Sequence, residues 1–249
     1  MARPKTGFYS TIEYVGARPR KPKKPSFFGG WVILVITAGA GIFFVKPWLG
    51  NVLAAQVGPT VEQTEELIGG LLVSGNKGDD LGAEALRYAG RETQYDPSYF
   101  KIKYPNGDVP FGKGVAADVV VRCYRQVGVD LQELIHEDME KNLRAYPQLW
   151  DAQATDSNID HRRVPNIQRF LSRHGESKKI SRDFVDYAVG DVVVWALADA
   201  EAHIGIVVPD PAGEPGVFWV VHHPSGGKVQ WENALFDHQV IGHYRYPSR

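Results

Sequence analysis

The chain has a single cysteine, Cys123, in 249 residues, so no disulfide can form within it. Other signatures are missing too. No glycine-rich phosphate-binding loop is present. The run His-Glu-Asp-Met-Glu (136–140) is not the His-Glu-x-x-His zinc pattern, because Glu140 stands where the second histidine belongs. Ser225 in "HHPSGG" is not framed as Gly-x-Ser-x-Gly. There is no internal repeat, and no low-complexity tract beyond a Pro/Lys-rich arm. These absences weigh against nucleotide chemistry, a helix-borne zinc protease and an elbow-type serine hydrolase.

The formal net charge of -1 hides an uneven distribution. Residues 1–25 carry seven Lys and Arg against Glu13 alone, giving +6, so the remainder carries -7. From Phe27 to Val45 no charged residue occurs, and aromatic residues sit near both ends of the run. That length and pattern predict a membrane-spanning helix, and the basic side places the N-terminus in the cytoplasm. The expected organisation is a basic cytoplasmic arm (1–26), a transmembrane signal anchor (27–49), a juxtamembrane linker (50–80) and a globular domain (81–249). Retention of the anchor is favoured over cleavage, because Lys46 and Pro47 separate the apolar run from the small residues of "VLAAQ". A single-pass membrane protein, with its C-terminal domain outside the cytoplasm, follows. The basic cluster abuts the anchor, so nucleic acid is rejected as a partner.

Within the domain, helical patterns come first and strand patterns later. "GAEALRYAGRE", the stretch from Ala116, "LQELIHEDMEKNLRAYP" and "NIQRFLSRHG" read as helices. Val119, Cys123 and Val127 recur every four residues with Val120 and Tyr124 beside them, and Gly128 is a natural stop. Asp118 and Arg122 are spaced as an i,i+4 pair. "SGNKGDDLG" reads as a flexible spacer. "GDVVVWAL", "HIGIVVP", "GVFWVVHH" and "VIGHYRY" read as short strands, which predicts an α+β fold with an antiparallel sheet. Asp191, after Gly190, reads as a turn residue.

A cysteine hydrolase seats its thiolate at a helix N-terminus and takes its proton with a histidine on a facing strand. A third polar group orients that histidine. The helix starting near Val115, with His203 and His222 on two strands, supplies this frame. His223 points to the opposite face of its strand. The first helical turn, however, holds Ala116 and Ala117, which have no nucleophile. Cys123 lies seven residues further on, in the apolar stripe, where a free cysteine acts as an inert hydrophobe. Arg162 and Arg163 in "DHRRVPN" suit either bidentate binding of a substrate carboxylate or bracing of a loop against Asp156 or Asp160. His238 and His243 lack a clear carboxylate partner, and neither a metal nor a cofactor is implied.

"YPNGDVPFGKGVAADVVVR", "NIDHRRVPN", "HIGIVV", "VVHHPSGG" and "GHYRY", in that order, resemble the DUF1287 family, a relative of the NlpC/P60 papain-like cysteine peptidases and amidases of bacterial cell walls. The resemblance covers roughly residues 80 to 247. It implies a papain-like fold and a substrate in peptidoglycan stem peptides. It implies the nucleophile position at Ala116, where the family usually reads Gly-Val-Cys-Thr-Asp, the general base at His203 and the orienting residue at His222. Arg162, Arg163 and Asp118 are the expected substrate-binding residues. Two accounts of Ala116 stay open: a deliberate Cys→Ala inactivation, or a natural pseudoenzyme that binds peptidoglycan or a partner. A histidine-based metallohydrolase is the remaining alternative.

Overall fold

Thr60 starts the first helix by a reciprocal cap. Its Oγ1 accepts from Gln63 N at 3.2 Å, and Gln63 Oε1 accepts from Thr60 N at 3.0 Å. The computed structural model describes Gly16 and residues 59–247, apart from 90, 150–153, 199 and 200. The expected arm and anchor, 1–26 and 27–49, lie outside the described residues, Gly16 excepted. Among the described residues no helix is long and apolar enough to cross a membrane.

Helix α1 (Val61–Val73) buries Ile68 in the main core, with Leu67 and Leu71 packed against it. A helix of this length needs such packing to persist. Residues 59–80 are therefore part of the compact unit that begins at Pro59, and the linker expected over 50–80 does not extend through them. The spacer expected from Ser74 is equally short. Gly75 turns with φ 65°, and Asn76 Oδ1 accepts from Gly78 N at 2.9 Å, which caps α2 (Lys77–Ala89).

Helix α3 (Ala116–Gln126) buries Val119, Val120, Cys123 and Tyr124, the stripe its sequence predicts, and Gly128 closes it with φ 82°. Helices α4 (Leu131–Asn142) and α5 (Val164–His174) follow, joined through two short 3-10 turns, Leu143–Ala145 and Asp160–Arg162. Strands β1 (Gln94–Tyr95) and β2 (Lys113–Gly114) form a small parallel pair. The six remaining strands are β3 (Glu176–Ser177), β4 (Val192–Ala196), β5 (Ala202–Pro209), β6 (Phe218–His222), β7 (Gln230–Glu232) and β8 (Gln239–Arg245). They form one sheet in the order β3-β8-β4-β5-β6-β7, antiparallel throughout.

Side chains alternate across the sheet, and apolar residues are buried on both of its sides. Val192, Val194, Ile204, Ile206 and Val221 pack with the helices. Val193, Trp195, Val207 and Val220 pack instead with Tyr187 and Leu235 from flanking loops. The fold is α+β, as the order of patterns predicts.

Candidate functional site

The start of α3 is built by one carboxylate. Asp118, three residues into the helix, accepts from Val115 N at 2.7 Å through Oδ2. The first helical bonds run from Asp118 N and Val119 N to Val115 O. The N–H groups of Ala116 and Ala117 precede them and have no acceptor within the helix. They stand beside a cleft of about 540 Å³ whose walls include Tyr95, Ala116, Ala117, Arg163, Glu201 and His203. Ser225 also reaches this cleft.

His203, second residue of β5, turns Nε2 toward His222 Nδ1 of β6 at 2.7 Å. The two rings meet edge to face, and Trp195 lies near both. The pair can meet because Gly205 sits opposite His222 across the β5–β6 ladder: a Cβ there would approach His222 Cβ to 3.1 Å and Trp195 Cη2 to 3.0 Å. His222 in turn turns Nε2 toward Glu232 Oε1 of β7 at 2.6 Å. Burial lowers the pKa of both histidines, that of His203 to about 3, with the neighbouring imidazole adding to the effect. Both rings are neutral at pH 7, the state in which an imidazole nitrogen can accept a proton.

The structure brings Ala116 and His203 to one cleft and joins His203 to His222, three positions expected from the sequence. One other expectation is corrected. Asp118 does not pair with Arg122; it receives Arg162 Nε at 2.9 Å and Nη2 at 3.0 Å. Arg162 also reaches Ser98 O and Asp96 O, and it lines the cleft. Arg122 pairs with Asp108 and bonds Tyr88 Oη and Lys113 O. Buried guanidinium groups must fill their donors; Asp108 and nearby groups do so for Arg122, and Asp118 with main-chain carbonyls does so for Arg162. Arg163 keeps a place along the cleft.

Asp191 is likewise more than a turn residue. It is fully buried and receives Arg245 Nε at 2.6 Å and Nη2 at 2.8 Å, while His243 Nε2 meets it at 2.9 Å. Other histidines have partners of their own: His136 meets Asp160 and His174 meets Asp138. Among the described residues no group of three or more His, Cys, Asp or Glu side chains is arranged to hold a metal ion. His223, on the opposite face of β6 from His222, is fully buried, with Nε2 on Gly227 O and Tyr95 against its ring. Cys123 is inside the core, where burial pushes its thiol pKa far up.

Glu232 was not visible from the sequence. It sits in a three-residue strand too short to show alternation, and only the pairing of β7 with β6 brings it to His222. Tyr95 was missed for the same reason.

A family model described as "Domain of unknown function (DUF1287)" matches residues 82–246. The uncharacterized protein YijF of Escherichia coli (strain K12) is 47% identical to this chain over 162 residues, which covers 65% of this chain and 78% of the relative.

Proposed function

Because this chain belongs to the DUF1287 family, we propose that its cleft is a papain-type amide-hydrolase site without its nucleophile, which holds a cell-wall peptide and does not cut it. The observation that carries this reading is that His203, bonded through Nε2 to His222, lines one cleft with Ala116 in the first turn of a helix. With a cysteine at 116, His203 Nδ1 takes the thiol proton and the thiolate attacks the amide carbonyl. The resulting oxyanion is received by the first-turn N–H groups. Collapse breaks the C–N bond, His203 returns the proton to the leaving amine, and water then releases the acyl group by the same steps. A methyl group has no lone pair, so Ala116 stops this sequence before the first bond forms.

The binding half of the site does not depend on the sulfur. The first-turn amides, Tyr95 and Arg163 remain along the cleft. Arg163 suits a carboxylate of a peptidoglycan stem peptide. The uncharged run from Phe27 and the basic arm before it support a location outside the inner membrane, where such peptides occur.

The test replaces Ala116→Cys in the full-length protein and incubates both forms with purified peptidoglycan. Fragments from the cysteine form alone, with masses that name the cleaved bond, are expected, together with co-sedimentation of the unchanged protein with the wall. Cleavage by the unchanged chain would overturn the role given to position 116. Neither cleavage nor sedimentation, in either form, would overturn the reading as a whole.

A further inference from the structure

We propose that Glu232 is a positioning residue that sets the tautomers of both His222 and His203, so that the nitrogen left bare is His203 Nδ1. A carboxylate offers only lone pairs. Glu232 Oε1 lies 2.6 Å from His222 Nε2, so the proton of that bond sits on His222 Nε2. A neutral imidazole carries one N–H, which leaves His222 Nδ1 an acceptor. That atom lies 2.7 Å from His203 Nε2, which must therefore donate. His203 Nδ1 is then the remaining basic nitrogen, the atom that a nucleophile at position 116 requires. One acceptor at the far end of the chain thus decides the protonation of a ring two hydrogen bonds away.

Gln230, on the same strand, holds the carboxylate in place. With its amide oriented to satisfy its neighbours, its nitrogen donates to Glu232 Oε1 at 3.0 Å and Oε2 at 2.7 Å. The imidazoles are enclosed on their other sides: Trp195 of β4 flanks both rings, and His238, Asp237 and His223 are the other titratable groups that act on the pair. Both His203 and His222 are buried, so water does not compete for these nitrogens as it would at the surface.

The experiment reads the tautomers directly, by the nitrogen-15 shifts of the two imidazoles in the full-length protein as it stands. The expected result is the Nε2–H form at both histidines. In Glu232→Gln the amide can donate to His222 Nε2. The His222 proton then moves to Nδ1, where it donates to His203 Nε2, and the His203 proton moves to Nδ1. Both signatures are expected to switch, and Glu232→Asp is expected to keep the original ones. A His203 that carries its proton on Nδ1 in the unchanged protein overturns the proposal, as does a Glu232→Gln protein with unaltered tautomers. The first of these holds even if the variant fails to fold.

A kinetic arm rests on the hydrolase reading and fails separately from it. In the Ala116→Cys protein, Glu232→Gln is expected to lower kcat by roughly 10²- to 10⁴-fold, the range that removal of a positioned base or a wrong triad tautomer produces, with KM little changed. An inactive Ala116→Cys protein with the predicted tautomers would sink the hydrolase reading and leave the role of Glu232 standing. An active one whose kcat ignores Glu232→Gln would sink the proposal.

Discussion

Arg162 and Asp118, 44 residues apart, meet through two hydrogen bonds of 2.9 and 3.0 Å, and each side chain is 3% exposed. The same carboxylate binds Val115 N, and the same guanidinium binds the carbonyls of Ser98 and Asp96. Three segments are thus tied at one point: the start of α3, the loop after β1 and the 3-10 turn Asp160–Arg162. Of the pair, Arg162 lines the cleft.

Removal of one partner leaves the other buried and unpaired. Arg162→Met is expected to destabilise the protein by about 3–5 kcal/mol, and Arg162→Met with Asp118→Asn by less than that. Chemical denaturation measures both. A loss under about 1 kcal/mol for the single change would show that the pair does not hold the segments.

Asp191 predicts a second large effect. It faces Arg245 and His243 with no solvent exposure, and its hydrogen bonds to both, with the Arg245 charge, lower its carboxyl pKa against the effect of burial. Asp191→Ala strips β8 of its tie to the start of β4 and should cost about 3–5 kcal/mol. Loss of the β4–β8 amide protection in hydrogen exchange should accompany it. Unaltered protection would refute this placing of the stress.

Gly205 has ordinary backbone geometry, so the effect of Gly205→Ala is steric. The new Cβ would stand 2.9 Å from Val221 O and 3.0 Å from Trp195 Cη2. Overpacking of this kind costs about 1–3 kcal/mol. It also parts β5 from β6, so it should loosen the His203–His222 bond, read as faster exchange of that imidazole proton. A variant as stable as the original, with the bond intact, would contradict this.

Acid should unfold the domain early. His161 and His203 are buried neutral, each lowered to about 3, chiefly by burial. The unfolded chain binds their protons near 6.5 and the folded one does not. Stability is therefore full above about pH 6.5 and falls as pH drops toward 3, by up to about 1.4 kcal/mol per pH unit per group. Asp138 and Asp191, held low by partners that include Arg173 and Arg245, extend the loss below the usual carboxylate range, and Asp160, raised by burial, acts the other way. Denaturation midpoints at pH 7, 6 and 5 should decline, and less steeply in His161→Phe. A flat profile would contradict the buried neutral histidines.

Cys123 should be silent. Its thiol is fully buried, and burial raises its pKa. A thiol-reactive dye should label one group per chain in denaturant and essentially none in the native protein. Prompt native labelling would place Cys123 elsewhere than in the core.

Local patterns made much of this fold legible. The four-residue recurrence of Val119, Cys123 and Val127 announces the buried face of α3, and the runs around Val193, Ile206, Val220 and Tyr244 announce four of the six strands of the large sheet. Other features were hidden because nothing periodic marks them. The pairing of Asp118 with Arg122 looked local, yet Arg162 won the carboxylate because both meet where water is excluded. The α1 helix read as a connector because its apolar side gains meaning only against α2.

By itself, the sequence determined the order of helices and strands and the buried face of α3. These follow from side-chain chemistry and from periods of 3.6 and 2, which a chain displays without being folded. Only the tertiary structure decided which charge meets which, where the cleft lies and that Glu232 ends the histidine chain. Asp118 and Arg162 are 44 residues apart, and Asp191 and His243 are 52 apart. Contacts over such separations depend on strand order and on which groups burial leaves without water. No local window of residues contains either.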